Sequence, residues 1–197
     1  GKLKKQVVVG HGIDTDHFYS DPEKHESGLL LSVGRVTQSK HYDVILRCVA
    51  QLENAVQLVI AGDAFIDSDK AEKNRLIRLM DDVNIRDRVT MSFVPHADMP
   101  RYYQRADVLL HACEGGLDKA VLEAMSCGCP VVSTSEAAHT VLPDICLATE
   151  GTMHEHTQRI LTLSDEGRSD LVRKLRQRIE QDHNLTHLIS TLIAEMS

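Results

Sequence analysis

Six short apolar runs, each closed by glycine, proline or polar residues, constrain this chain more than any other feature. They are Val7–Val9, Leu29–Val33, Leu58–Ala61, Val89–Val94, Val108–His111 and Val131–Ser133. Near-continuous apolar character marks strands buried on both faces, as in a parallel sheet. Helical patterns lie between them. Tyr42 to Glu53 sets Ile45, Leu46, Val49 and Leu52 on one face, and Asn74 to Val83 does the same with Leu76, Ile77, Met80 and Val83. This alternation predicts an α/β fold, a Rossmann-like doubly wound parallel sheet with helices on both faces. From His154 onward the pattern is helical only, and the last helix aligns Leu185, Leu188, Ile189, Leu192, Ile193 and Met196 on one stripe. With no internal repeat, low-complexity segment or linker, residues 1–197 are expected to form one domain.

Charge narrows the partners. The formal net charge is −7, and Lys2 to Lys5 is the only basic block, so a general nucleic-acid face is excluded. Five cysteines, an odd number without a CxxC pair, fit buried thiols in a reducing compartment better than a disulfide framework. Cys127-Gly128-Cys129 is a weak metal or redox signal. No run reaches the roughly 18 residues of a membrane helix and no signal peptide is visible, so a cytoplasmic setting is expected. The sequence opens on Gly1 and enters an apolar run by Val7, which suggests a longer parent protein.

In open parallel sheets, ligands bind beyond the carboxyl ends of the strands. Gly34-Arg35 follows the second run, with Lys40 five residues on. An Arg fork and a Lys point charge at one strand mouth suit a diphosphate, although surface Arg and Lys are more often merely solvated. Gly62-Asp63 follows the next run, and Asp63 reads as a loop brace. After Leu110 come His111, Glu114, Gly115 and Gly116, then a helix over about Leu117 to Ser126 carrying Asp118, Lys119 and Glu123. A glycine turn ahead of a helix N-terminus presents backbone N–H groups to an anion. A carboxylate one to two turns on, Glu123, suits ribose hydroxyls. The alternative is an ordinary β-α-β unit in which Asp118 serves the helix dipole and Lys119 pairs with Glu123. The one metal-like histidine cluster, His154-Glu155-His156, reads as an exposed helix start, so no metal site is expected.

Assembled in order, these segments resemble the C-terminal, donor-binding domain of GT-B-fold retaining glycosyltransferases (glycosyl transferases group 1, family 4 type). His11-Gly12-Ile13-Asp14-Thr15-Asp16-His17-Phe18 is similar to the family's NGID-x-x-x-F segment, and Ser32-Val33-Gly34-Arg35 with Lys40 to its SVGR-x4-K. Gly62-Asp63, Phe93-Val94-Pro95, Ala106-Asp107-Val108, Leu122-Glu123-Ala124-Met125 and Cys127-Gly128-Cys129-Pro130-Val131-Val132 follow at family spacing.

The resemblance implies glycosyl transfer with retention from a nucleotide sugar, with no cofactor and no metal. Gly34, Arg35 and Lys40 would hold the diphosphate, and the backbone of Gly115, Gly116, Leu117, Asp118 and Lys119 the phosphate. Val94 would meet the base and Glu123 the ribose. The family's acidic pair is E-x7-E, and counting back from Glu123 reaches Gly115, so Glu114 is the nearest substitute for the first Glu. Ala137-Ala138 stands where the family has Gly-Gly, and His11 replaces Asn. The family's N-terminal acceptor domain lies outside these residues, leaving the chain half an enzyme, inactive alone, with any membrane association confined to that missing half. Two alternatives stay open. A sugar-nucleotide epimerase of the same fold would epimerise donor without acceptor, and a non-catalytic nucleotide-binding module would neither transfer nor hydrolyse a bound donor.

Overall fold

In the computed structural model, which describes residues 11–196, five parallel strands form one sheet in the order β3-β2-β1-β4-β5. The strands are β1 (Leu29–Val33), β2 (Gln57–Ala61), β3 (Val89–Ser92), β4 (Val108–His111) and β5 (Val131–Ser133). Seven helices accompany them among the described residues: α1 (Tyr42–Ala50), α2 (Asp67–Asp82), α3 (Met99–Arg105), α4 (Lys119–Ser126), α5 (Met153–Leu161), α6 (Asp165–Asp182) and α7 (Leu185–Met196). α1 packs beside α2 and α5, and α4 packs between α3 and α6, so both sheet faces are covered. Leu30, Leu31, Ile60, Leu109, Val131 and Val132 are essentially inaccessible, which explains apolar runs without polar alternation.

The expected elements are present, with shifted ends. α1 stops at Ala50 rather than Glu53, and α2 begins seven residues before Asn74, at Asp67. Its polar first half hides the helix from an apolar count, yet Asp69 and Glu72 are buried there through ion pairs with Arg35 and Arg75. β3 ends at Ser92, releasing Phe93 and Val94 into the following loop. The run at Val7–Val9 and the Met196 side chain lie outside the described residues. In α7, Leu185 and Leu188 close over Gly12, whereas Ile189 and Leu192 face solvent.

Strand order reverses between β1 and β4, and this switch point places a crevice beyond their carboxyl ends. Two close approaches shape its rim. Gly62 lies under the β1 loop, where an added Cβ would fall 1.8 Å from the Gly34 carbonyl oxygen. That oxygen also accepts a hydrogen bond from buried Tyr42 at 2.7 Å. The first turn after β1 is thus fixed from both sides. Asp63 braces the neighbouring loop as expected, accepting from Ala64 N and Lys73 Nζ, both at 2.7 Å.

At the other end of β4, Asp107 ties three segments together. Its buried carboxylate accepts from Gly28 N at 2.8 Å, lies 3.0 Å from His25 Nε2 and pairs with Arg168 of α6. Among the described residues, no helix is long and apolar enough to cross a membrane.

Candidate functional site

The crevice is built by two loops. The β1 loop runs through Gly34 and Arg35 to a short 3-10 turn, Gln38–Lys40, which packs against the loop after β4. Glu114 N donates to Ser39 O at 3.1 Å, and Lys40 Nζ donates to Asp118. The Lys40 stem lies across Gly34, where a Cβ would sit 2.7 Å from Lys40 Cε. Gly34, Lys40, Glu114 and Asp118, far apart in sequence, therefore share one rim.

Asp118 is the N-cap of α4 rather than a first-turn residue, and its side chain accepts from Ala120 N at 3.1 Å. A cap of this kind satisfies one of the free donors of the first turn and explains why the helix starts at Lys119, not Leu117. Burial would raise the Asp118 carboxyl, but His111 and Lys40 beside it override this and hold it well below the usual carboxylate range.

Just before the cap, Gly115 adopts φ 112°, a conformation that L side chains rarely adopt, and nothing lies within 4 Å of a Cβ built on Gly115 or Gly116. This exposed glycine pair leads through half-buried Leu117 into the N-terminus of α4, an arrangement suited to an anion. A cavity of about 540 Å³ opens beside it, lined in part by His41, Cys113, Glu114, Gly115, Thr134 and Ser135. A smaller cavity, about 190 Å³, lies at the other end of α4 near Ser20 and Gly128 and contains none of these loops.

Arg35 takes a different direction. Its side chain is 57% exposed and pairs with Asp69 of α2 at 3.5 Å rather than with the Lys40–Asp118 rim. Glu114 projects outward and brings Oε1 to 2.9 Å from His41 Nε2, without hydrogen-bond alignment. His41 itself is held at φ 45°. Val94 is half-buried in the loop after β3, and Lys119 is exposed.

Glu123 faces inward and does not pair with Lys119. Its Oε2 accepts from the Tyr103 hydroxyl at 2.9 Å, and its Oε1 lies 3.0 Å from His96 Nε2. The Glu123 side chain is only 8% exposed, while the His96 side chain is 70% exposed. Burial, followed by the Glu123 charge, pushes the Tyr103 phenol well above its ordinary value, so Tyr103 acts as a donor.

Sequence reasoning missed His41, His96, Tyr103 and the pairing of Lys40 with Asp118. It also missed Cys113. Cys48, Cys127, Cys129 and Cys146 are buried free thiols as expected, but Cys113 is half-exposed beside the crevice. The His111-x-Cys113 spacing at a strand's carboxyl end was the available signal. His154-Glu155-His156 lies in the first turn of α5, with His156 Nδ1 2.9 Å from Ile145 O.

A five-stranded parallel sheet with a glycine turn and helix N-terminus at its switch point defines a Rossmann-like α/β domain. The chain belongs to the glycosyl transferases group 1, whose family model matches residues 14–145, more than half of its length. D-inositol 3-phosphate glycosyltransferases of Mycobacterium bovis and Mycobacterium tuberculosis are 30% identical over 141 residues, covering 65% of this chain. The chain spans 28% of the length of those curated relatives.

Among solved structures, Anabaena HepE in complex with UDP superimposes with a TM-score of 0.81 at 16% identity, covering 94% of this chain and 55% of that one. Sucrose-phosphate synthase from Thermosynechococcus elongatus gives 0.82 at 24% identity, covering 95% and 52%. The C-terminal domain of a group 1 family protein, LpcC, from Francisella tularensis gives 0.74 at 15% identity, covering 88% of this chain and all of that one. These likenesses establish the GT-B type of fold.

Proposed function

We propose that this chain is the donor half of a retaining glycosyltransferase. It binds a nucleoside diphosphate sugar in the β1–β4 crevice, and the acceptor is held by an N-terminal domain outside these 197 residues. The observation that carries the reading is the joining of Lys40 to the N-terminus of α4 beside the exposed Gly115-Gly116 turn. An ammonium, open backbone donors and a helix N-terminus converge where a diphosphate would lie.

In this reading the departing nucleoside diphosphate is stabilised by fixed positive groups, and no metal or cofactor takes part. Lys40 shifts from Asp118 towards phosphate oxygens, and Arg35 swings from Asp69 to join it. Glu123, oriented by Tyr103, accepts ribose hydroxyls once His96 moves aside, and the Val94 loop meets the base. Glu114 is the acidic group offered to the sugar in place of the family's first Glu. Support comes from the family membership and from the UDP in the HepE structure. A cytoplasmic setting suits the soluble donor.

Two substitutions separate the roles. Arg35→Ala is expected to weaken nucleoside diphosphate binding roughly tenfold, near the lower end for a charge-assisted contact because the side chain is solvent-screened. Unchanged affinity would remove Arg35 from the site. Glu123→Gln preserves shape but halves the acceptor capacity facing the ribose. It is expected to weaken the ribonucleotide while leaving inorganic pyrophosphate binding unaltered; equal losses for both would show that Glu123 does not read the ribose. The activity itself is tested by incubating the whole protein with UDP-, GDP- and ADP-sugars and following nucleotide release with and without candidate acceptors. Epimerised donor, or a bound donor that never reacts, would overturn the reading.

A further inference from the structure

His111, Cys113 and Asp118 bring one nitrogen, one sulfur and one oxygen to within 4.8 Å of each other at the carboxyl end of β4. The imidazole is 95% buried, and its Nδ1 shares a hydrogen with Ser133 Oγ at 2.9 Å. Its other nitrogen, Nε2, is buried with no hydrogen-bond partner and lies 3.6 Å from Asp118 Oδ2. A buried imidazole nitrogen facing a carboxylate without an aligned hydrogen bond is satisfied either by carrying a proton, as an imidazolium paired with Asp118, or by a cation held between them. Ser133 performs the orienting task that second-shell partners perform for metal-bound histidines.

The donor set is chemically selective. Tetrahedral zinc, with nitrogen and oxygen bonds of roughly 2.0–2.2 Å, holds such donors about 3.3–3.5 Å apart, close to the 3.6 Å between His111 Nε2 and Asp118 Oδ2. Cys113 is half-exposed and its Sγ donates to Glu114 O at 3.2 Å, a hydrogen bond that must be given up for the sulfur to close the remaining gap by rotation. One charged group opposes occupancy: Lys40 Nζ already sits on Asp118 Oδ2. A divalent cation must displace it, while Asp118 Oδ1 continues to cap Ala120 N.

We propose that His111 Nε2, Cys113 Sγ and Asp118 Oδ2 form a binding site for a thiophilic divalent cation of the Zn²⁺ class, in competition with the Lys40 ammonium. The site shares Asp118 and the competing Lys40 with the donor crevice of the reading above, but it is read by metal binding alone, so its failure and the failure of that reading are distinguishable.

Titration of the whole phosphine-reduced protein with Co²⁺, followed by displacement with Zn²⁺, tests it. One equivalent should bind with a thiolate-to-cobalt charge-transfer band. Cys113→Ser should abolish the band and weaken Zn²⁺ binding about tenfold or more, and Ser133→Ala should weaken it by a similar factor while retaining the band. Lys40→Ala, which removes the competing ammonium, should bind the cation more tightly. Absence of the band in the unaltered protein, or equal Zn²⁺ affinity in the Cys113→Ser protein, would overturn the site. Weaker cation binding by Lys40→Ala would overturn the placement at Asp118.

Discussion

Replacing Lys40 with alanine is expected to weaken nucleoside diphosphate binding roughly 10- to 100-fold. Lys40 is the cation that the fold holds at the switch-point crevice, with only 20% of its side chain exposed. Hydrogen bonds to charged groups contribute about 1.5–3 kcal/mol, and partial burial places Lys40 towards the upper part of that range. Lys40→Met, which retains much of the aliphatic stem over Gly34, should show the same loss, separating charge from packing. Calorimetric titration of both variants checks this. Affinity restored by Met would mean that the stem, not the ammonium, supports the site.

Asp107→Ala should destabilise the fold without touching the crevice. Its carboxylate is buried and shared among Gly28 N, His25 and Arg168, so removing it strands a guanidinium that is only 19% exposed. Breaking such a pair costs about 3–5 kcal/mol. For a chain of this size that corresponds to a drop in Tm of roughly 6–20 °C. Thermal unfolding followed by circular dichroism gives the result directly. A fall below 2 °C, about 1 kcal/mol by the same scale, would show that Asp107 is not the fastening between β4, α6 and the segment before β1.

These two residues also show what the sequence could reveal. Both belong to segments with recognisable spacing, Gly34-Arg35 to Lys40 and Ala106-Asp107-Val108. Spacing located Lys40 beyond the Leu29–Val33 run and Asp107 just ahead of the Val108–His111 run, but did not distinguish a ligand contact from a fastening. The parallel sheet was legible because buried strands announce themselves as unbroken apolar runs such as Leu29–Val33. The start of α2 was not, because Asp69 and Glu72 are buried by pairing with arginines, which an apolar count ignores.

Within the site, Lys40, Gly115, Asp118 and Glu123 were legible as residue types at strand and helix ends. Their partners were not. His96 and Tyr103 reach Glu123 from the loop after β3 and from α3, and Lys40 crosses 78 residues to Asp118. Contacts of this range come from tertiary packing, which no local pattern encodes. Arg35 marks the same boundary, since its strand-end position was evident but its turn towards Asp69 was not.

The most direct test of the donor site is calorimetric titration of the whole protein with UDP, GDP, ADP and CMP, repeated with Lys40→Ala and Glu123→Gln. The account predicts that one diphosphate binds selectively, that Lys40→Ala weakens it roughly 10- to 100-fold, and that Glu123→Gln weakens it while sparing pyrophosphate. Silence towards all four nucleotides, or a nucleotide affinity that neither substitution changes, would contradict it.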